Sequence, residues 1–68
     1  MQNESTRLGQ NLKRIRIKKG ISQGDIAREL KVSRGFISTI ENGKTNPTLA
    51  TIAKLARAIG VSVDKLIK

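Results

Sequence analysis

The strongest constraint on the fold is the regular recurrence of helix-start and helix-stop residues along the chain. Hydroxyl residues that can accept a hydrogen bond from the first turn of a helix precede four segments, at Ser22, Ser33, Thr48 and Ser62. Glycines typical of helix ends follow three segments, at Gly20, Gly43 and Gly60. The segments between these signals are too short to be stable alone, so they must pack against one another in one small domain.

Apolar residues recur at helical spacing in these segments, and no segment alternates with the period of two that is typical of a strand. The first segment places Leu8, Leu12 and Ile15 on one face. The apolar stripe predicted for the fourth segment comprises Leu49, Ile52, Ala53, Ala56 and Ile59, with Leu55 on its flank. We therefore predict an all-α chain of five helices, with residues 1–5 as a flexible N-terminus and residues 6–68 as a single domain.

The composition points to an anionic partner. Fourteen Lys and Arg residues against five Asp and Glu residues give a formal net charge of +9, which attracts nucleic acid or an anionic membrane surface. No apolar run approaches the roughly 20 residues of a membrane span, and the N-terminus lacks the apolar run of a signal peptide. Without Cys or His, neither a disulfide nor a zinc finger is possible. We expect a cytoplasmic protein that needs no metal or cofactor.

The middle of the chain has the pattern of a helix-turn-helix. Only Lys31 and Val32 separate the second predicted helix from Ser33, the predicted cap of the third, and so short a turn favours two helices that cross steeply. At about 100° per residue, Phe36, Ile37 and Ile40 lie on one side of the third helix. The opposite, small and polar side comprises Gly35, Ser38, Thr39 and Asn42, with Arg34 at its edge. Such a helix can enter the major groove of DNA.

The residue types on that polar side are suited to contacting bases. The guanidinium of Arg34 can donate two hydrogen bonds to guanine O6 and N7, a contact worth about 1–3 kcal/mol of discrimination. Gly35 permits a close approach of the backbone, while Ser38 and Thr39 can bond a base edge or offer a methyl group to thymine. Two alternatives stay open: the polar side is an ordinary solvated helix surface, or Gly35 is a helix-packing glycine.

Other residues are predicted to bind phosphates without reading sequence. Gln23 begins the second helix, where its amide can reach the DNA backbone. The loop "NGKTN" that follows the third helix offers free amides together with Lys44 and Thr45. A protein with such contacts is expected to bind double-stranded DNA with a strong dependence on salt.

At these residues the sequence resembles the Cro and phage-repressor helix-turn-helix family, also called the xenobiotic-response-element family. The similarity covers residues 21–67 and combines "SQ…IA", "VS…IS…IENG" and "GVSVDKL" at the right spacings. The resemblance implies a compact, five-helix, lambda-repressor-like domain, usually dimeric on palindromic operators.

The resemblance also implies roles for individual residues. It places Gln23, Ser33, Asn42 and Lys44 at phosphates, and Arg34, Gly35, Ser38 and Thr39 near bases. It pairs Arg16 with Glu41 inside the domain, which agrees with the high cost of a buried, unpaired acid. Many members have glycine where this chain has Lys31, so a left-handed backbone there would store about 1–2 kcal/mol of strain.

The sequence thus predicts a sequence-specific, DNA-binding transcription regulator, a small homodimeric repressor or autoregulator. Its dimer surface is expected on the fifth helix and the flank at Leu55. The alternative is a protein-interaction module, antitoxin-like or bridging, which predicts a large exposed apolar patch and no loss of function in Arg34→Ala. An enzyme is not expected, because five acids without His or Cys form no general acid–base arrangement. No small-molecule ligand is evident.

Overall fold

The computed structural model describes residues 3–68, which form five α-helices. They are α1 (Glu4–Lys18), α2 (Gln23–Leu30), α3 (Arg34–Glu41), α4 (Leu49–Ile59) and α5 (Val63–Ile67). No strand occurs in this part of the chain, which confirms the predicted all-α class. Over the same residues, no helix has both the length and the apolar character needed to cross a membrane.

All four predicted helix starts are confirmed in position, and three of the four cap residues make the expected capping hydrogen bond. The side chains of Ser22, Ser33 and Thr48 each accept a hydrogen bond from a backbone N–H in the first turn of the following helix. Ser62 occupies the cap position of α5 but makes no such side-chain bond. Because α5 is little more than one turn, the fully buried side chain of Leu66 holds it in place instead.

The start of α1 differs from the prediction. The helix begins at Glu4, two residues before the predicted domain start at residue 6, because Asn3 acts as its cap. Asn3 Oδ1 accepts a hydrogen bond of 2.8 Å from the backbone N–H of Thr6. Asparagine caps a helix as well as serine does. The rest of the predicted N-terminal segment, residues 1–2, lies outside the described residues.

A single core lies between the helices, and all five contribute to it. Its buried members are Leu8, Leu12, Ile26, Ala27, Ile37, Ile40, Leu55, Ala56, Ile59 and Leu66. The predicted stripe of α4 is wrong at two residues: Leu55 is fully buried, whereas Leu49 is 71% exposed. The helical period leaves the rotation of α4 about its axis ambiguous, and packing against α2 and α5 decides it.

The close crossing of α1 and α3 depends on a glycine that the sequence did not single out. A Cβ atom on Gly9 would lie 2.4 Å from the carbonyl oxygen of Ile40 and 2.6 Å from that of Glu41. Two polar side chains fix α1 at its other contacts, since Asn11 Nδ2 donates to Leu66 O at 2.7 Å and Lys19 Nζ to Ile59 O at 2.9 Å. The C-terminal end of α3 is therefore held rigidly against α1.

Candidate nucleic-acid interface

The turn between α2 and α3 sets the direction of α3. Lys31 has φ 60° and ψ 44°, which confirms the left-handed backbone that glycine adopts more easily. The Val32 N–H donates to Ala27 O at 2.9 Å and so closes the end of α2. The turn thus stores about 1–2 kcal/mol at Lys31 and leads directly into the Ser33 cap of α3.

The predicted inner side of α3 faces the core. Ile37 and Ile40 are fully buried, and Phe36 is partly buried against the core. This burial fixes the rotation of α3, so the opposite side of the helix faces away from the domain. The exposed or half-exposed residues there are Arg34, Gly35, Ser38, Thr39 and Asn42.

A buried ion pair holds the end of α3 to α1. Arg16 Nε donates to Glu41 Oε2 at 2.6 Å and Arg16 Nη2 to Oε1 at 3.0 Å, while Nη1 donates to the carbonyl oxygen of Ile21 at 3.1 Å. Glu41 is only 7% exposed. The hydrogen bond to Glu41 and its negative charge raise the pKa of Arg16, against the opposing effect of burial. The guanidinium therefore stays charged and holds the end of α3 against α1.

Gln23 joins this ion pair, which the sequence did not indicate. Its Nε2 donates to Glu41 Oε1 at 2.9 Å, so one of its two amide protons is used inside the domain. The other proton remains for a phosphate oxygen. The phosphate contact predicted for Gln23 stays a prediction, but the side chain that would make it is already oriented by Glu41.

Arg34 differs from the paired arginines of this domain. It is exposed in the first turn of α3, and no carboxylate within residues 3–68 lies in ion-pair distance of it. By contrast, Arg16 is bound to Glu41 and Arg28 to Asp25. The donors of Arg34 are therefore available to an external acceptor.

Gly35 stands beside open space. A Cβ atom built there would meet only Ser33 Oγ, at 3.8 Å, which is an ordinary contact. The alternative that Gly35 is needed for packing between helices is therefore wrong. Its cost to the helix, up to about 1 kcal/mol, has no compensation inside the domain.

The two hydroxyl residues of the outer side are engaged to different degrees. Thr39 Oγ1 donates to the carbonyl oxygen of Gly35 at 2.8 Å, which leaves Thr39 an acceptor and a methyl group to offer. Asn42 Nδ2 donates to Ser38 Oγ at 3.4 Å, so the Ser38 hydroxyl proton remains free to donate. Ser38 can therefore donate a hydrogen bond to an external group, whereas Thr39 can only accept one.

The predicted phosphate ligands lie at both ends of α3. Ser33 Oγ accepts from Phe36 N at 3.1 Å and retains its proton, and the N-terminus of the helix favours an anion. At the other end, Gly43 has φ 70° and the Lys44 N–H donates to Thr39 O at 3.1 Å, a Schellman motif. The exposed Lys44 follows at once, with the half-buried Thr45 beside it. Eight helical residues span about 12 Å, close to the width of the major groove.

Comparison with known proteins agrees with this geometry. The profile of the HTH_3 helix-turn-helix family matches residues 12–66. The chain is 37% identical over 60 residues to the uncharacterized HTH-type transcriptional regulator y4dJ of Sinorhizobium fredii, covering 88% of this chain and 78% of that protein. It is 34% identical over 61 residues to the control protein C.MunI of a Mycoplasma species, covering 88% and 82%.

The fold is also similar to that of a solved structure. The restriction-modification controller protein C.AhdI from Aeromonas hydrophila superposes with a TM-score of 0.85 at 32% identity, covering 91% of this chain and 94% of that one. Other relatives are longer, and the chain spans 42% of the immunity repressor of Bacillus phage phi105, to which it is 32% identical. Since the family profile and these relatives cover most of the chain, the protein belongs to the HTH_3 helix-turn-helix family, the type of regulator that its sequence resembles.

Proposed function

We propose that this protein is a sequence-specific, double-stranded DNA-binding transcription regulator that acts as a homodimer on a palindromic operator. The observation that carries the proposal is the outer side of α3. There Arg34, which has no ion-pair partner in the described part of the chain, lies next to the open backbone of Gly35. This side is small, polar and rigidly directed away from the core, as a helix in the major groove requires.

The base contacts follow from the donors and acceptors that the fold leaves free. Arg34 donates twice to a guanine, and Ser38 donates to a base acceptor. Thr39 has its proton bound to Gly35 O, so it contacts a thymine through its methyl group or accepts from a base amino group. Gly35 lets the helix approach closely enough for these short side chains to reach.

The phosphate contacts frame the base contacts. Ser33 and the free amide N–H groups of the first turn bind one phosphate, and Lys44, Thr45 and Asn42 bind another beyond the end of α3. Gln23 adds a contact from α2 while Glu41 fixes its orientation. The net charge of +9 strengthens all of these contacts at low salt.

A small repressor or autoregulator is the regulatory role that we favour. It is supported by the similarity to the phi105 immunity repressor and to the restriction-modification controller C.AhdI. The match covers almost the whole length of C.AhdI. Binding at or beside promoter elements would then block or recruit polymerase. Catalysis has no part in this mechanism, since position and charge are sufficient for it.

The test begins with selection of an operator from random duplex DNA. Arg34→Ala should weaken binding to the selected site by about 1–3 kcal/mol and relax the preference at one base pair. Lys44→Ala should weaken all duplexes alike and flatten the dependence of affinity on salt. Lys68→Ala, which removes an exposed lysine at the end of the chain, is the matched control and should change the affinity for the operator little.

Two results would count against the proposal. One is a selected operator that binds no more tightly than random duplex. The other is full regulatory function in Arg34→Ala, which is the result expected if the domain acts only by binding another protein.

A further inference from the structure

Two copies of this chain need a surface through which to meet on DNA. We propose that this surface is the α4 patch, formed by Leu49, Ile52 and Ala53, with Leu49 packing against its own counterpart across a twofold axis. The inference names the partner surface of the homodimer and therefore rests on the proposed function.

The exposure of α4 points to this patch. Leu49 is 71% exposed, the largest fraction among the exposed large apolar side chains of residues 3–68. Ile52 and Ala53, three and four residues further along the helix, lie on the same face and are half-buried. The patch thus continues the apolar surface of the core outward, where a second molecule can cover it.

The charge distribution indicates which partner covers the α4 patch. Residues 45–53 carry no charged side chain, and these nine residues form the longest uncharged run in the chain. Each copy carries a net charge of +9, so two copies repel each other wherever their cations face. A partner of opposite charge would use the basic surfaces, whereas an uncharged surface lets a second copy approach with the least repulsion.

The other exposed apolar side chains do not meet this condition. They are Ile17, Val32 and Ile67, and each has a lysine as its chain neighbour, namely Lys18, Lys31 and Lys68. Of the two expected dimer surfaces, the flank at Leu55 is wrong, because Leu55 is fully buried in the core. The fifth helix stays a prediction.

The dimensions of the domain suit a twofold arrangement on DNA. Each copy measures 31 × 21 × 21 Å, which is compatible with half-sites about 34 Å apart.

The size of the patch predicts a weak dimer. A standard interface buries about 800 Å² on each partner, a large share of the 4506 Å² of accessible surface of this domain. Three side chains supply much less than that area. Association in free solution should therefore be weak, and an operator with two half-sites should strengthen it by holding both copies in place.

The first test measures self-association without DNA by sedimentation equilibrium. Leu49→Glu should weaken association at least about tenfold, because the two copies then place like charges at the axis. Ile17→Glu is the matched control, since it makes the same change at another exposed apolar residue, and it should leave association intact. Circular dichroism should show both variants to be folded, because both side chains are exposed.

The second test uses the symmetry of the contact. Leu49→Glu and Leu49→Lys should each be monomeric alone, and an equimolar mixture of the two should associate again. On DNA, Leu49→Glu should keep the affinity of the normal chain for a single half-site and lose the added affinity for two.

Three results would overturn the α4 patch as the dimer surface: a normal chain that stays monomeric up to millimolar concentration, equal association in Leu49→Glu and the normal chain, or a mixture that does not associate. If the protein instead binds no DNA sequence more tightly than random duplex, the proposed function fails. The sedimentation experiment still shows whether the α4 patch is the surface of self-association.

Discussion

The two sides of α3 have opposite relations to the rest of the domain. The inner side is closed by contacts: Ile37 and Ile40 are fully buried, and Glu41 binds Arg16 and Gln23. The outer side is open, and Arg34 has no ion-pair partner among residues 3–68. The difference shows that contacts on one side of a short helix fix its rotation, so that the other side faces outward in a fixed direction.

Two glycines mark the same contrast. Gly9 lies where α1 crosses α3, and a Cβ atom there would be 2.4 Å from the backbone of Ile40. Gly35 lies on the outer side of α3, and a Cβ atom there meets nothing closer than 3.8 Å. Both residues cost helix stability, but only Gly9 is required by the fold itself. Three experiments test this contrast and a fourth tests the cap of α2, beginning with the largest expected effect.

The largest effect is expected on the inner side, at the buried ion pair. Arg16→Met leaves the Glu41 carboxylate buried without its cation, which should lower the free energy of unfolding by about 3–5 kcal/mol. A domain of this size has only about 3–10 kcal/mol in total, so the variant should lose a large share of its stability. Urea denaturation measures the loss. The double variant Arg16→Met/Glu41→Met should regain most of the lost stability. If Arg16→Met lowers the free energy of unfolding only as much as breaking an exposed ion pair does, the inner side is not closed.

The next effect is expected at the helix crossing. Gly9→Ala forces a methyl group into the backbone of α3 and should lower the free energy of unfolding by about 2–3 kcal/mol. Gly24→Ala is the matched control within a helix, because its Cβ atom would have no neighbour closer than 3.7 Å. The control should stabilise the domain by about 0.5–1 kcal/mol. Thermal denaturation measures the stability of both variants. Equal results for the two variants would show that the crossing tolerates a side chain.

The third experiment tests the outer side, where stability and binding should move in opposite directions. Gly35→Ala should raise the free energy of unfolding by about 0.5–1 kcal/mol, because alanine favours the helix and no atom obstructs its methyl group. Affinity for the selected operator should fall by about 1 kcal/mol or more, since the methyl group holds the helix off the bases. Thermal denaturation and fluorescence anisotropy measure the two quantities. Unchanged affinity would make this side an ordinary solvated surface.

The smallest effect is expected at the capping box of α2, which is exposed to solvent. Ser22 donates its backbone N–H to Asp25 at 3.0 Å, and this bond and the Ser22 side chain lower the pKa of the Asp25 carboxyl. Its contribution to stability is therefore present above the ordinary pKa of aspartate and is lost as the pH falls through the lowered pKa. Ser22→Ala should cost about 1 kcal/mol at neutral pH.

The pH dependence of the melting temperature checks this assignment. In Asp25→Asn, the decrease of the melting temperature as the pH falls below the ordinary pKa of aspartate should be shallower than in the normal chain. An unchanged acid profile would mean that other carboxylates account for all of the acid sensitivity.

Much of this architecture was predictable because its signals are local. A serine or threonine cap acts on an amide three residues later, and a glycine stop acts on carbonyls a few residues earlier. Four helix starts and the division of α3 into an inner and an outer side are therefore written in neighbouring residues. The backbone of Lys31 and the pairing of Arg16 with Glu41 were indicated only through family resemblance, and both occur in the structure.

Three features depended on contacts between distant parts of the chain. The sequence by itself determined that five short helices must pack together and that α3 has one polar, uncrowded side. Only the tertiary structure decided that Gly9 is the crossing point, that Gln23 binds Glu41, and that α4 buries Leu55 while it exposes Leu49. The period of a helix places residues on faces, but the rotation of a helix about its axis is set by neighbours that are remote in sequence.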